Sequence, residues 1–167
     1  MNCPVCDNPL EERAVTCPQC GFPLQEARMA VWRPYVIMAA LMASIVIYAA
    51  LVFMVPATSG PDAGLLEILE YALAGIAAAT ATAVYLWPQL TGPAAPQAGM
   101  GRLIFRAALA ESIAIYGLVL HFLGAPFTHA LGFIAASLVV LGVVASELPA
   151  LGQATRKWFV EHHEREV

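Results

Sequence analysis

The sequence contains very little charge for its length. Asp, Glu, Lys and Arg together make up 12% of the 167 residues, whereas a soluble domain carries roughly 25%. Hydrophobic residues make up 60% of the chain, and its mean hydropathy is +0.72. This composition excludes an ordinary soluble domain, and the few basic residues form no patch that would indicate nucleic-acid binding. The composition therefore predicts an integral membrane protein.

Cysteine is absent after residue 20, so the four cysteines form one site and not a scattered disulfide framework. Cys3 and Cys6 form one Cys-x-x-Cys pair on a Pro-containing turn, and Cys17 and Cys20 form another. Two such turns can complete a closed, tetrahedral Cys₄ zinc site with a structural role. Two disulfides or a redox-active pair are the alternatives. The spacing resembles the zinc-ribbon domains that often precede membrane segments, which implies a ribbon at residues 1–24 that binds Zn²⁺.

The N-terminus also lacks the apolar core of a cleavable signal peptide. Four apolar stretches follow that are long enough to cross a bilayer as helices. We predict an all-α membrane protein with a four-helix transmembrane domain at residues 35–149, a linker at 25–34 before it, and an amphipathic interfacial tail at 150–167 after it. The predicted helices lie at about residues 35–55, 65–87, 102–123 and 127–148.

Lys and Arg are absent from residues 56–64 and 124–128, the segments between the first two and the last two predicted helices. They lie instead before the first helix, at the start of the third and after the fourth: Arg28, Arg33, Arg102, Arg106, Arg156, Lys157 and Arg165. By the positive-inside rule both termini are cytoplasmic, in a multi-pass protein of the cytoplasmic (inner) membrane. Metal is expected over disulfides on that side. Arg106, one turn inside its helix, is expected to reach towards water.

The third predicted helix carries one acid near its middle, Glu111. A charge at the centre of a bilayer helix costs roughly 2.5–3.5 kcal/mol by insertion scales, so the protonated form is the less costly one. Glu111 is therefore expected to bind a proton, to ligate a cation, or to form one half of a buried hydrogen bond.

Residues 108–120, ALAESIAIYGLVL, resemble the second helix of the rotary ATP synthase c subunit, with Glu111 on the acid that marks the ion-carrying helix. Residues 73–83, LAGIAAATATA, are similar to the small-residue first helix of that family, and the resemblance covers about residues 71–123. It implies a homo-oligomer, such as a ring, in which Glu111 binds a proton and Ser112 and Tyr116 shape its hydrogen bonds. The Gln that sodium-type members carry in the first helix is missing, which favours a proton over sodium.

A second hypothesis is a zinc-ribbon membrane scaffold or an assembly protein. In that case Glu111 is a structural hydrogen-bonding residue, and the ribbon binds a cytosolic protein partner. An enzyme is not expected, because no nucleophile–base pair lies within reach; His121, ten residues after Glu111, is roughly 15 Å away along the helix. His162 and His163 could bind a metal, although a solvated tail is the interpretation that we favour.

Overall fold

The computed structural model describes residues 2–11, 14–56, 62–92 and 96–166, apart from the side chains at positions 63, 96, 97 and 164–166. This part of the chain is all-helical, and its β-structure is limited to one isolated bridge between Asn2 and Pro9. Four of its helical segments are long and apolar enough to cross a membrane, which confirms the predicted all-α class. The five helices are α1 (Leu24–Met54), α2 (Ala63–Thr91), α3 (Pro96–Phe122), α4 (Phe127–Ala145) and α5 (Leu148–Glu166).

The first helix is longer than the sequence pattern predicts. Residues 25–34, predicted as a linker, belong to α1, which has 31 residues and contains Pro34. This segment is rich in Ala, Arg, Met, Gln and Glu, which are strong helix formers. Similarly, α2 was predicted to end at residue 87 but continues through Pro88 to Thr91. The part of the chain before Leu24 is therefore joined to α1 without an intervening loop.

Helix α3 lies at the centre of the fold and packs against the other four helices. Ala107, Ala110 and Ala114 are fully buried, and their spacing of three and four residues places them on one face of α3. The hydroxyl of Ser137 on α4 donates a hydrogen bond to the carbonyl oxygen of Ala110 at 2.7 Å. Small side chains on α3 allow this close approach, which is how helices associate in lipid.

Gly117 marks the closest approach of α3 to α4. A Cβ atom added there would lie 2.7 Å from the Cβ of Phe133 and 2.8 Å from the carbonyl oxygen of Ala130. Since a backbone oxygen cannot rotate away, we expect Gly117→Ala to lower the free energy of unfolding by about 1–3 kcal/mol. Thermal unfolding in detergent would measure this loss. Gly132→Ala on α4 is the matched control, because no atom lies within 4 Å of the added methyl group; equal stability of the two variants would contradict the prediction.

Candidate metal centre and membrane carboxylate

The segment before α1 forms a four-cysteine module (residues 2–11 and 14–23), which is built from two equivalent turns. In the first turn, Cys3 N–H donates to Asn8 O at 2.9 Å, and Asp7 N–H donates to Cys3 O at 3.1 Å. The second turn repeats the pattern, with Cys17 N–H bonded to Phe22 O and Gly21 N–H bonded to Cys17 O, each at 2.9 Å. The residue after each Cys-x-x-Cys pair has a positive φ, 57° at Asp7 and 72° at Gly21. Gly, and less readily Asp, adopts this conformation, so the local sequence suits the turn.

The two turns direct four sulfur atoms at a common point. The sulfurs of Cys3, Cys6, Cys17 and Cys20 all lie within 4.8 Å of one another. The Cys3–Cys20 and Cys6–Cys17 sulfur pairs are 3.7 Å and 3.5 Å apart. Both distances exceed a disulfide bond of about 2.05 Å, and a tetrahedral metal with sulfur bonds of about 2.3 Å would place its ligands about 3.8 Å apart. The cluster can therefore hold a metal ion, and the residues present fit a tetrahedral thiolate site.

The thiols of this cluster hold their protons unequally. The backbone N–H groups of Cys20 and Gln19 lower the pKa of the Cys17 thiol to about 6. Loss of water raises the pKa of the Cys20 thiol to about 12, and the neighbouring sulfurs contribute to the same rise. Without a cation, the cluster therefore keeps protons at neutral pH that a bound cation would displace.

The module packs against the C-terminal half of α5. Phe22 is buried beneath the cluster, and Phe159 and Val160 of α5 contact the same small core. The ring of His163 lies edge-on to Phe22 with a centroid separation of 5.3 Å, and its Nε2 lies 2.8 Å from the carbonyl oxygen of Cys20. His163 therefore packs against the module and hydrogen-bonds it, whereas the sequence favours a solvated tail at this position. His162 instead stacks on Trp158 at 4.0 Å.

The second candidate site is the Glu111 carboxylate, which faces α1. The hydroxyl of Tyr48 donates to Glu111 Oε1 at 3.0 Å, and the Ser44 hydroxyl forms a second, short hydrogen bond with the same oxygen. Ser44 also lies 2.7 Å from the carbonyl oxygen of Leu41. Ser44 has one hydroxyl hydrogen and two neighbouring acceptors, Glu111 Oε1 and Leu41 O. These two acceptors therefore compete for that hydrogen.

Ser112 and Tyr116 are the residues predicted to shape the hydrogen bonds of Glu111, and the structure gives them other positions. The hydroxyl of Ser112 donates to Leu109 O of its own helix at 2.7 Å. Tyr116 lies five residues after Glu111, which is about 140° around the helix, on another face. Ser44 and Tyr48 were not predicted as partners. The signal in the sequence was their spacing of four residues, which puts two hydroxyl groups on one face of an otherwise apolar helix.

Arg106 on α3 links three parts of the fold. Pro88 lacks an N–H group, so the carbonyl of Val84, four residues earlier in α2, loses its helical donor. Arg106 Nε donates to that carbonyl oxygen at 2.9 Å, and its two terminal nitrogens bond Glu147 at 2.6 and 2.9 Å. The side chain of Arg106 is 5% exposed and that of Glu147 is 43% exposed. The expectation that Arg106 extends to water is wrong, because the Val84 carbonyl and the partly exposed Glu147 carboxylate hold its guanidinium.

Two histidines make separate contacts at the other ends of these helices. His121 Nε2 lies 2.8 Å from Val55 O at the end of α1, and its buried Nδ1 has no hydrogen-bond partner among the described residues. Nδ1 of His129 at the start of α4 is in close contact with the side-chain oxygen Oε1 of Glu70 of α2. Neither histidine belongs to the network around Glu111.

Comparison of the chain with protein-family models, with curated proteins and with solved structures gives no match. The resemblance of residues 71–123 to the c subunit therefore depends on the sequence motifs alone.

Proposed function

We propose that the protein is a membrane scaffold whose zinc-binding module is fixed to the ends of α1 and α5 and binds a cytosolic protein. Zinc is the ion proposed, because a closed set of four cysteine sulfurs is a common structural zinc site. With every ligand position filled by protein, the metal would stabilise the module and would not activate water.

The proposed location is the cytoplasmic membrane, with both termini in the cytosol. Arg33, Arg102 and Arg156 belong to the segments at the end of the bundle that also holds the module. The described parts of the connections at the opposite end, residues 55–56, 62 and 123–126, contain no Lys or Arg. This distribution follows the positive-inside rule.

The observation that carries the scaffold proposal is the bonding of Glu111 to two hydroxyl groups of α1 within the same chain. The two α1 hydroxyls, on Ser44 and Tyr48, are donors that a carboxylate needs when it leaves water. The acid then joins α1 to α3 and would not be presented to a neighbouring subunit. Helix α1 lies outside the hairpin that resembles the c subunit, so the hairpin alone would lack these partners.

Labelling with a hydrophobic carbodiimide, which modifies protonated carboxyl groups, tests this proposal. In the scaffold, Glu111 should stay unreactive from pH 5 to pH 9, because the hydroxyls of Ser44 and Tyr48 hydrogen-bond its Oε1 atom. The double variant Ser44→Ala/Tyr48→Phe should make Glu111 reactive.

Glu111→Gln gives a second measurement. Gln keeps one oxygen acceptor for Ser44 and Tyr48, so the variant should fold with a loss of about 1 kcal/mol in stability. Labelling of wild-type Glu111 that decreases as the pH is raised would refute the structural role.

The second candidate function is proton binding by Glu111 in a c-subunit-like homo-oligomer. It is favoured by the position of Ser44: if its hydrogen bonds Leu41 O, a proton on Glu111 completes the contact between them. Residues 74–75 and 78–79 of α2 are small and exposed, which would suit packing between copies. A pH-dependent labelling curve together with a particle of several chains would support this function over the scaffold.

A further inference from the structure

A groove lies between the four-cysteine module, the first turns of α1 and the start of α5. Its volume is about 440 Å³. On α1 the lining includes Val31, Trp32 and Tyr35, and on α5 it includes Gly152. Phe22 contributes from the module. Most of this wall is apolar, so a small inorganic ion alone would leave it uncovered.

The charge of this groove differs from that of the whole protein. The chain has a formal net charge of -4, yet the lining of the groove contains two arginines, Arg28 and Arg156, and no acidic residue among those that the structure describes. A second cavity of about 630 Å³ shares Gln153 and Arg156 with it. Lys157 and the acidic residues Asp7 and Glu161 line that second cavity but not the groove, so the described basic residues of the groove itself are Arg28 and Arg156.

The groove also lies where the chain enters its apolar part. Residues 34–61 contain no Asp, Glu, Lys or Arg, and Trp32 and Tyr35 stand at the start of this charge-free run. Trp and Tyr concentrate at the boundary between the hydrocarbon and the lipid headgroups. Basic pockets beside membrane helices at this depth suit phosphorylated headgroups. A ligand here would meet cations and an apolar wall at the same time.

We propose that this groove binds one anionic phospholipid. Arg28 and Arg156 would contact the phosphate, and the glycerol and upper acyl chain would cover Val31, Trp32 and Tyr35. A lipid is favoured over a soluble phosphate compound because it supplies both the negative charge and the apolar part that this wall requires. The proposal needs the position of the module but neither the identity of its metal nor the role of Glu111.

The test uses the full chain purified in a non-ionic detergent. Dioleoylphosphatidylglycerol and the zwitterionic dioleoylphosphatidylcholine are added in turn, and native mass spectrometry counts the retained lipid. We expect one phosphatidylglycerol per chain, bound at least fivefold more tightly than phosphatidylcholine. Since one basic side chain contributes roughly fivefold to such binding, Arg156→Gln should weaken it about fivefold and Arg28→Gln/Arg156→Gln more than tenfold.

Arg33→Gln is the matched control, because Arg33 is exposed on the same helix as Arg28 but does not line the groove. It should leave the affinity unchanged, and Arg156→Lys should retain most of it. Circular dichroism verifies that each variant is folded. An unchanged affinity in Arg156→Gln, or an equal loss in Arg33→Gln, would overturn the proposal. Displacement of the lipid by sn-glycerol 3-phosphate at equal concentration would also overturn it, since a soluble phosphate compound would then be the ligand.

Discussion

Removal of the metal that the cluster is proposed to bind, with a chelator, is expected to unfold the four-cysteine module while α1–α4 stay folded. Structural zinc supplies roughly 10–16 kcal/mol in isolated zinc fingers at pH 7, and the core that the described residues of the module form with the start of α1 has five buried residues: Cys3, Leu10, Cys17, Phe22 and Leu24. Hydrogen exchange would measure the effect at the N–H groups of Cys17 and Gly21, which are bonded within the second turn. Their protection should fall at least 100-fold, whereas that of α3 should remain.

The matched substitutions are Cys17→Ser, which removes a ligand, and Thr16→Ala, which changes the exposed residue beside it. The first should reproduce the effect of the chelator and the second should not. The amides of α5 near Phe159 should also exchange faster, because they lose the module's contact. Persistent protection of residues 17–21 after complete metal removal would show that the cluster does not hold the module together.

The same metal site should release its ion in acid. The pKa of Cys17 is lowered to about 6, so its sulfur becomes protonated only below that pH, whereas Cys20, with a pKa raised to about 12, takes a proton as soon as the metal leaves. Protons and metal compete for the same sulfurs, so metal affinity falls as the pH falls. Loss of the ion should steepen below about pH 6, where Cys17 also binds a proton. A zinc-sensitive dye that records metal release across a pH titration would measure this, and a release that is independent of pH would contradict it.

Replacement of Arg106 should lower the stability of the helix bundle. Arg106→Met leaves Glu147 without its ion pair and Val84 O without a donor. We expect a loss of about 1–3 kcal/mol, mainly because the Val84 carbonyl is left without a donor; Glu147 is 43% exposed, so water can solvate its charge. Unfolding of α3 in a mixed-detergent titration would measure it. Arg102→Met is the control: among the described residues that side chain bonds the Gly92 carbonyl, and it is more exposed than Arg106.

A double-mutant cycle isolates the role of Pro88. Pro88→Ala restores an N–H group that can donate to the carbonyl of Val84, so Arg106→Met should cost about 1 kcal/mol less in that background. The cost of losing the Glu147 pair should be the same in both backgrounds. If Arg106→Met costs the same in the wild-type chain and in the Pro88→Ala variant, the Val84 carbonyl does not depend on the arginine.

Hydropathy and cysteine spacing were sufficient to predict the all-helical class, the four apolar helices and the clustered cysteines. These features are local, because neighbouring residues in the sequence determine each of them: a continuous apolar run long enough to cross a membrane, or two cysteines in one Cys-x-x-Cys turn. The partners of Glu111 were not predictable in the same way. Ser44 lies 67 residues from Glu111 along the chain, and helical rotation decides which of several hydroxyls meets the acid.

Arg106 was missed for a related reason. Its position one turn inside a predicted helix favoured a side chain that reaches water, and a sequence pattern does not show an acceptor on another helix. The carbonyl left without a donor by Pro88 was visible in the sequence, but only the packing of α2 on α3 reveals that Arg106 bonds it. Residues 25–34 were read as a linker because the apolar run begins after them, although their helix propensity continues α1 to Leu24.

The unbroken path from the module into α1 joins the four cysteines directly to the helix that carries the hydrogen-bond partners of Glu111. Ser44 lies twenty residues beyond Leu24 on the same helix, a distance of about 30 Å. Because Phe159 and His163 of α5 also hold the module, a displacement of the module would have to break those contacts before it could move α1 and the hydroxyls of Ser44 and Tyr48 that bond Glu111. Pro34, buried a third of the way along α1 between the module and Ser44, removes one hydrogen bond from the helix.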